Sequence, residues 1–276
     1  MFKKKKSQNN SAMTLLEQRN ILGNRLNFGA AEAYKLLRTN LEFSLPKSDG
    51  SHCPVIGITS SLRGEGKSTT AINTAYTIAQ SGKKVLLIDS DLRLPSIAKR
   101  LGVSIKPGLS NMLVGQCRGE DAAQQSPLLE NFFVLTAGDI PPNPSELLGS
   151  AQMLQILQNL SAHYDYIVLD LPPLAVVSDA LVVSKFIDGM VMVVRQNYCT
   201  RRDLAECMRQ LNFSGAKILG FVMTHKDIRK KAYGKYGKKY NGGYNYGYGS
   251  TEDGRLNALQ NQKGGRASKK PVHAGK

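Results

Sequence analysis

The chain has few cysteines and no long hydrophobic run. Its four cysteines are scattered; none forms a CxxC pair and none is accompanied by histidines at metal-ligand spacing. No stretch approaches the roughly 18 apolar residues of a membrane span. The N-terminal lysines precede no apolar signal-peptide core. We therefore expect reduced thiols in a reducing compartment and a cytoplasmic chain.

Acidic residues are scarce at both ends of the chain. The formal net charge is +16; residues 1–25 carry +5 of it and residues 226–276 carry +10, which leaves +1 for the body between them. Basic ends suggest contact with an acidic surface, such as the inner membrane leaflet, nucleic acid or an acidic groove on another subunit. A solvated tail that only confers solubility explains the charge equally well.

Short β-branched runs alternate with helical patterns from residue 54 onward. The runs are PVIGITSS, KKVLLIDSD, FFVLTAG, YDYIVLDLP, GMVMVVR and KILGFVMTH. They are almost uninterrupted in apolar character, as strands buried on both faces are. The pattern predicts a parallel sheet flanked by helices, in one α/β domain with tails.

Helical spacing marks the segments before and between these runs. It covers SAMTLLEQRNIL and AAEAYKLLRTNLEFSL near the N-terminus, then residues 67–80, 145–162, 179–186 and 200–211. Thr200 and Asp203 have the spacing of a capping-box variant at the start of the last helix. After about Lys226, glycine, lysine, asparagine and tyrosine replace apolar residues, a composition that predicts a disordered tail.

A strand, a glycine-containing loop and a helix follow one another in PVIGITSSLRGEGKSTTAINTAYTIA. The glycines let backbone N–H groups close on phosphate oxygens at the helix start. Lys67 would reach the β and γ phosphates, and the Ser68 hydroxyl would bind Mg²⁺. The strict pattern GxxxxGK[ST] is not met, because Ser61 stands where its first glycine would be, but the preceding strand favours a nucleotide site over a chance match. The candidate nucleotide-binding residues are Gly64, Glu65, Gly66, Lys67, Ser68 and Thr69.

Two later strand ends carry acidic residues. KKVLLIDSDLRLP places Asp89, Asp91 and Arg93 after one strand, and YDYIVLDLPP ends another with Asp170. In a parallel sheet the carboxyl ends of the strands line the ligand crevice, so these carboxylates should meet the phosphate loop. One aspartate could simply cap a helix. Three beside a GKS loop indicate Mg²⁺ and a nucleophile that must lose a proton.

With these motifs the chain resembles the bacterial tyrosine kinases of capsular and exopolysaccharide biosynthesis, which are deviant-Walker P-loop ATPases. TSSLRGEGKST is similar to their Walker A, VLLIDSDLRLP to their Walker A′ and IVLDLPP to their Walker B; GDIPPNPSELL is similar to another family stretch. The resemblance runs from about Ala30 to Tyr248. It implies a doubly wound, mainly parallel sheet of the P-loop NTPase type. The implied domains are a basic segment 1–29, a kinase domain 30–226 and a flexible tail 227–276 with a tyrosine cluster at 233–248.

The resemblance also implies a reaction, the transfer of the γ-phosphoryl group of ATP to tyrosine hydroxyls, chiefly in the tail of a neighbouring subunit. Lys67 would steady the phosphates and Asp89 would take the phenolic proton. The implied Mg²⁺ ligands are Ser68, Asp91 and Asp170. The implied phosphoacceptors are Tyr233, Tyr236, Tyr240, Tyr244, Tyr246 and Tyr248. A glycine-rich tail is flexible enough to bring these tyrosines into a partner's cleft.

Two arginines near the motifs have roles that the sequence leaves open. Arg93 either pairs with the nearby acids or positions the acceptor. Arg63 stands where family loops usually carry proline, and it adds positive charge beside the phosphates.

The partners implied by the resemblance are a transmembrane activator with a cytoplasmic tail, a cognate tyrosine phosphatase and further copies of the chain, arranged for example as a ring. The activator would recruit the chain to the inner face of the membrane. The family's subunit-contact motif Glu-x-x-Arg-x-x-Arg occurs here as Glu32, Lys35 and Arg38; the lysine keeps the charge but loses the guanidinium fork. Phosphorylation adds roughly −1.5 to −2 charges per tyrosine, so a basic tail would become acidic and loosen the assembly. Such a switch would regulate polysaccharide synthesis, chain length or export.

Two other functions stay open. A positioning or partitioning ATPase of the same superfamily usually carries a signature lysine early in the phosphate loop, where only Arg63 could imitate it. An iron–sulfur carrier of that superfamily would need paired cysteines. From a different class, the Gly/Tyr/Lys tail could bind nucleic acid or self-associate, with an RNA affinity that falls steeply with salt. The kinase resemblance implies no nucleic-acid partner.

Overall fold

The computed structural model describes residues 26, 28–46 and 52–225. The chain divides into two units, Met1–Asp227 and Ile228–Lys276, and all described residues belong to the first. The predicted amphipathic stretch at residues 11–22, the tail and its tyrosine cluster lie outside the described residues. None of the described helices has the length and apolar character needed to cross a membrane.

The strands form one seven-stranded sheet in the order β3-β4-β2-β5-β1-β6-β7. Their bounds are Val55–Ser60 (β1), Val85–Asp89 (β2), Ala123–Gln125 (β3), Phe132–Leu135 (β4), Tyr166–Asp170 (β5), Gly189–Arg195 (β6) and Ile218–Thr224 (β7). All six predicted strands are present and pair in parallel. The sequence pattern did not predict β3, a three-residue edge strand that pairs antiparallel with β4.

The described helices lie between the strands or precede them. Their bounds are Phe28–Ser44 (α1), Lys67–Ala79 (α2), Ile97–Leu101 (α3), Leu109–Leu113 (α4), Gly119–Ala122 (α5), Pro144–Leu148 (α6), Ala151–Ser161 (α7), Asp179–Val183 (α8) and Arg201–Phe213 (α9), with a 3₁₀ turn at Ser184–Phe186. The predicted capping box is confirmed: Thr200 Oγ1 accepts from Asp203 N at 3.1 Å, and Thr200 N donates to Asp203 Oδ2 at 3.1 Å.

Two predicted helices are interrupted. The pattern over residues 145–162 predicted one helix, but α6 ends before Gly149 and α7 begins after Ser150. The Ser150 hydroxyl accepts from Met153 N at 3.3 Å and so starts a new helix. The predicted helix over 179–186 continues beyond Val183 only as the 3₁₀ turn.

A separate hydrophobic core lies on each face of the sheet. One core packs α1, α2 and α3 against Ile56, Ile58 and Leu87, and includes Leu41 from α1. The other packs α4 to α9 against the opposite side chains of the same strands. The predicted doubly wound, mainly parallel α/β fold is therefore confirmed. The strand order β2-β5-β1 brings the carboxyl ends of these three strands side by side, where ligands bind in such folds.

Candidate active site

The phosphate loop turns from β1 into α2 through two glycines with left-handed backbone conformations. Gly64 has a φ of 81° and Gly66 a φ of 98°. Such angles are costly for residues with a Cβ, so the loop uses the residue type that its turn requires. Gly66 caps α2, which begins at Lys67 and presents the N–H groups of its first turn to the loop. This is the arrangement that binds phosphate at a helix N-terminus.

Lys67 lies between two carboxylates from the neighbouring strand ends. Its Nζ is 2.9 Å from Asp91 Oδ2 and 3.3 Å from Asp170 Oδ1. It also lies 3.3 Å from the hydroxyl of Ser68. Burial lowers the pKa of Lys67, but the charges of Asp170 and Asp91 outweigh burial and raise the pKa above its ordinary value. The structure thus brings the predicted Lys67, Ser68, Asp91 and Asp170 together.

Asp89 lies beside this cluster and is fully buried. It is the direct partner of Asp170 in the pairing of β2 with β5. Burial raises the pKa of Asp89 to about 7, and the charge of Asp170 adds to the increase. Its Oδ2 accepts from Ser96 N and Ile97 N, each at 3.0 Å, so the carboxylate also holds the start of α3.

The residues fit a divalent cation brought with a nucleotide. Asp170 Oδ2 is buried and has no hydrogen-bond partner in the described part of the chain, and burial raises the pKa of Asp170 despite the charge of Lys67. An orphaned carboxylate oxygen next to the Ser68 hydroxyl is a suitable acceptor for a metal-bound water. Among the described residues no group of three or more His, Cys, Asp or Glu side chains is arranged so that it could hold a metal ion by itself. Mg²⁺ does not require such a group, because it usually keeps several waters and uses substrate phosphates as ligands.

The buried Glu65 has a role that its place in the motif did not predict. Its Oε2 accepts from Leu62 N at 2.6 Å and its Oε1 accepts from Arg195 N at 3.2 Å. Thr224 Oγ1 donates to the main-chain oxygen of Glu65 at 2.7 Å. The carboxylate therefore connects Leu62, in the phosphate loop, to Arg195 at the end of β6. Because the side chain is used in this way, only the backbone of Glu65 is left to face a nucleotide.

The remaining predicted residues occupy distinct places. Thr69 Oγ1 accepts from Arg100 Nη1 at 3.2 Å, and Arg63 is exposed. Arg93 does not pair with the nearby Asp89 or Asp91; its guanidinium binds Asp179 instead. Pattern reasoning missed Asp179 as a site residue, although it is the first acidic residue after Asp170 and begins α8.

The three residues of the predicted subunit-contact motif share the surface of α1. Lys35 Nζ pairs with Glu32 Oε1 at 2.8 Å, and both side chains are about half exposed. Arg38 Nη1 donates to the Thr77 carbonyl, near the C-terminus of α2, at 3.1 Å. Arg38 therefore contributes to packing within the chain, and contact with another subunit stays a prediction.

Comparison with known proteins gives the family. A family model described as an AAA domain matches residues 53–212. The tyrosine-protein kinase YwqD of Bacillus subtilis is 39% identical over 212 residues, which cover 76% of this chain and 88% of YwqD. The chain belongs to the bacterial tyrosine kinase family. The kinase domain of the Escherichia coli tyrosine kinase ETK is 34% identical, with a TM-score of 0.69 over 76% of this chain and 81% of that one.

The tyrosine kinase family shares its fold with division-site ATPases. The septum site-determining protein MinD of Pyrococcus horikoshii, solved with Mg-ADP, is 25% identical with a TM-score of 0.53, covering 62% of this chain and 70% of MinD. Its identity is lower than that of ETK. Family membership thus favours the kinase over the positioning ATPase, while both neighbours have the P-loop architecture.

Proposed function

We propose that this chain transfers the γ-phosphoryl group of ATP to tyrosines of the 233–248 cluster on another copy of itself. The observation that carries the proposal is Lys67 held within 3.3 Å of two carboxylates at the end of a phosphate loop. Phosphoryl transfer depends mainly on positioning and charge neutralisation, and this cluster offers both. Membership of the tyrosine kinase family supplies the class of acceptor.

The roles follow from the contacts. Lys67 leaves the carboxylates to steady the β and γ phosphates, and N–H groups of residues 64–69 surround the phosphate oxygens. Ser68, Asp91 and Asp170 are the residues that would hold Mg²⁺, which supplies charge neutralisation on the transferring group. Asp89 takes the phenolic proton. A carboxylate whose pKa lies near neutrality is suited to that exchange.

The acceptor segment complements the site in charge. Residues 233–248 combine six tyrosines with three lysines and no acid. The site that would receive them holds three buried aspartates and one lysine. Attraction would bring the unmodified tail in, and each phosphate would then repel it. We propose on this basis that phosphorylation releases the tail and loosens the assembly.

The wider setting is part of the proposal. A transmembrane activator with a cytoplasmic tail would complete the kinase and hold it at the inner face of the membrane, where the basic ends could meet acidic lipid. Copies would associate through α1, with Glu32 and Lys35 available on its surface. A cognate phosphatase would reverse the switch, and the output would be control of capsular or extracellular polysaccharide synthesis.

The test is incubation with ATP and Mg²⁺, with and without the activator's cytoplasmic peptide, followed by peptide mapping for phosphotyrosine. Lys67→Met should abolish phosphorylation, whereas the exposed Lys99→Met on α3 should leave it unchanged. Mixing Lys67→Met with a chain whose six tail tyrosines are phenylalanine tests transfer between copies. Phosphotyrosine on the Lys67→Met tail shows that transfer occurs between copies. ATP hydrolysis without phosphotyrosine would favour a positioning ATPase.

A further inference from the structure

The loop from β2 to α3, residues 89–97, is anchored through the guanidinium of Arg93. Arg93 Nε donates to Asp179 Oδ2 at 2.8 Å and Nη2 donates to Asp179 Oδ1 at 3.0 Å. The Asp179 side chain is fully buried, while Arg93 is 36% exposed. A two-bond guanidinium–carboxylate pair fixes orientation as well as distance. The tip of this loop is therefore held in one place.

Ser145 completes the anchor. Its hydroxyl accepts from Arg93 Nη2 at 3.0 Å and donates to Asp179 Oδ1. Arg93 follows β2, Ser145 follows β4 and Asp179 follows β5, and these three strands are neighbours in the sheet. We call these three residues the Arg93 latch. The latch therefore connects the loop after β2 to the first turns of α6 and α8, near the carboxyl ends of the strands where the candidate active site lies.

Inside the loop, hydrogen bonds connect the latch to the site. Leu94, the residue after Arg93, donates its N–H to Asp91 Oδ1 at 3.1 Å. The other oxygen of Asp91 lies 2.9 Å from Lys67 Nζ. Asp91 N in turn donates to Asp89 Oδ1 at 3.3 Å. The position of Arg93 thus sets the position of the N–H that orients Asp91.

We infer that Arg93, Ser145 and Asp179 are positioning residues that hold the 89–97 loop in the conformation in which Asp91 faces Lys67. All the contacts that hold this loop come from residues of this chain. None of the three residues touches the reacting groups. The consequence for phosphoryl transfer rests on the proposed function, whereas the order of the loop does not.

The variants must separate positioning from stability. Arg93→Gln alone leaves the buried Asp179 carboxylate without its counter-ion, which is strongly destabilising. The double variant Arg93→Gln/Asp179→Asn removes both charges and keeps polar side chains that can still hydrogen-bond to each other. Arg93→Lys keeps the charge without the two-bond geometry. Arg209→Gln, at an exposed ion pair of α9, is the control for loss of an arginine. Leu211→Ala, on the buried face of α9, is the control for lost stability.

The first measurement is amide hydrogen exchange of the full chain without nucleotide. In Arg93→Gln/Asp179→Asn, the N–H groups of Leu94, Ser96 and Ile97 should exchange at least about tenfold faster than in the wild type, because local opening of the loop becomes easier. The N–H groups of β1 and α2 should change little. In the two controls, exchange within 89–97 should rise no more than it does elsewhere.

The second measurement is phosphotyrosine formation. Displaced supporting residues typically lower activity or metal affinity by about 10–100-fold, and we expect a fall in kcat of that size in the double variant. The Mg²⁺ concentration for half-maximal rate should rise, while nucleotide affinity in EDTA should stay close to the wild-type value. Arg93→Lys, which keeps the charge, should have a kcat between those of the double variant and the wild type.

Unchanged exchange across 89–97 in the double variant overturns the inference. The double variant and Leu211→Ala should also be compared at equal melting temperature. If kcat then falls no further in the double variant than in Leu211→Ala, the inference is overturned, because the latch would only stabilise the fold. If the wild type transfers no phosphate, the proposed function is refuted instead, and the exchange measurement decides the inference alone.

Discussion

Replacing Glu65 by glutamine should weaken the phosphate loop. Glu65 is fully buried and its two oxygens accept from two backbone donors, Leu62 N and Arg195 N. Glutamine has one acceptor oxygen, and its amide group would turn a donor toward the second N–H. Glu65→Gln therefore leaves one buried N–H without a partner, while the volume of the side chain is unchanged.

The expected cost follows from that one lost acceptor. A buried donor left without a partner costs about 1–3 kcal/mol. In a domain of this size each kcal/mol lowers Tm by about 2–4 °C, so we expect a fall of about 2–12 °C. Nucleotide affinity should fall as well, because the same two hydrogen bonds fix the candidate phosphate loop.

Thermal melting and titration with a fluorescent ADP analogue measure both effects. Glu206→Gln is the matched control, since Glu206 lies on the surface of α9 in an exposed pair with Arg209. It should change stability by less than about 1 kcal/mol. Thr224→Val, which removes the donor to the Glu65 carbonyl, should cost about 0.5–1.5 kcal/mol. Wild-type melting and wild-type nucleotide affinity in Glu65→Gln would refute the reasoning.

Three further predictions concern other parts of the fold. Leu94 is apolar but 53% exposed, and its N–H donates to Asp91 in the candidate active site. If its side chain contacts the acceptor, Leu94→Ser should raise the KM for a tyrosine peptide and leave the KM for ATP unchanged; equal peptide KM values would contradict this. Burial and the neighbouring Glu65 carboxylate raise the pKa of Cys199 to about 11. At pH 8 iodoacetamide should therefore modify Cys199 roughly a hundredfold more slowly than in the unfolded chain, because only the thiolate reacts. Peptide mapping over time would measure this rate. Gly108→Ala should prevent folding, because a Cβ there would lie 2.3 Å from a backbone nitrogen and 2.4 Å from a backbone oxygen. A Cβ at Gly115 would meet no atom within 4 Å, so Gly115→Ala should lower the free energy of unfolding by only about 1–2 kcal/mol, as denaturant unfolding would measure.

Much of the sheet was predictable because β1, β2, β4, β5 and most of β6 are buried on both faces. The expectation was wrong for β7, which is only partly buried although its run is also apolar, because it lies at the edge of the sheet. Each parallel strand carries an apolar run that distinguishes it from an amphipathic helix, and the acids at the ends of β2 and β5 mark the edge where a ligand binds. The short helices α3, α4 and α5 were not predicted. Four or five residues are too few to show a helical period, and these segments are helical because of the packing around them.

The partner of Arg93 could not be read from the sequence. Asp179 is 86 residues away, and the two meet only because β5 inserts between β1 and β2. Nearby Asp89 and Asp91 were the obvious partners from spacing alone. Both instead accept backbone N–H groups of their own loop. Similarly, the hydrogen bond from Arg195 N to the Glu65 carboxylate could not be predicted, because Arg195 belongs to a strand 130 residues later.

The charges at the site explain why nucleotide and metal should bind together. Asp89, Asp91 and Asp170 are buried around one lysine, so the cluster holds more potential negative charge than Lys67 alone can balance. Burial is the main cause of the raised pKa values of Asp89 and Asp170, and the charge of a neighbouring carboxylate adds to each increase. If Lys67 turned to the phosphates of ATP, as proposed, the carboxylates would lose their nearest cation. A divalent ion that arrived with ATP would replace that charge, so we expect the magnesium complex of ATP to bind better than either component by itself.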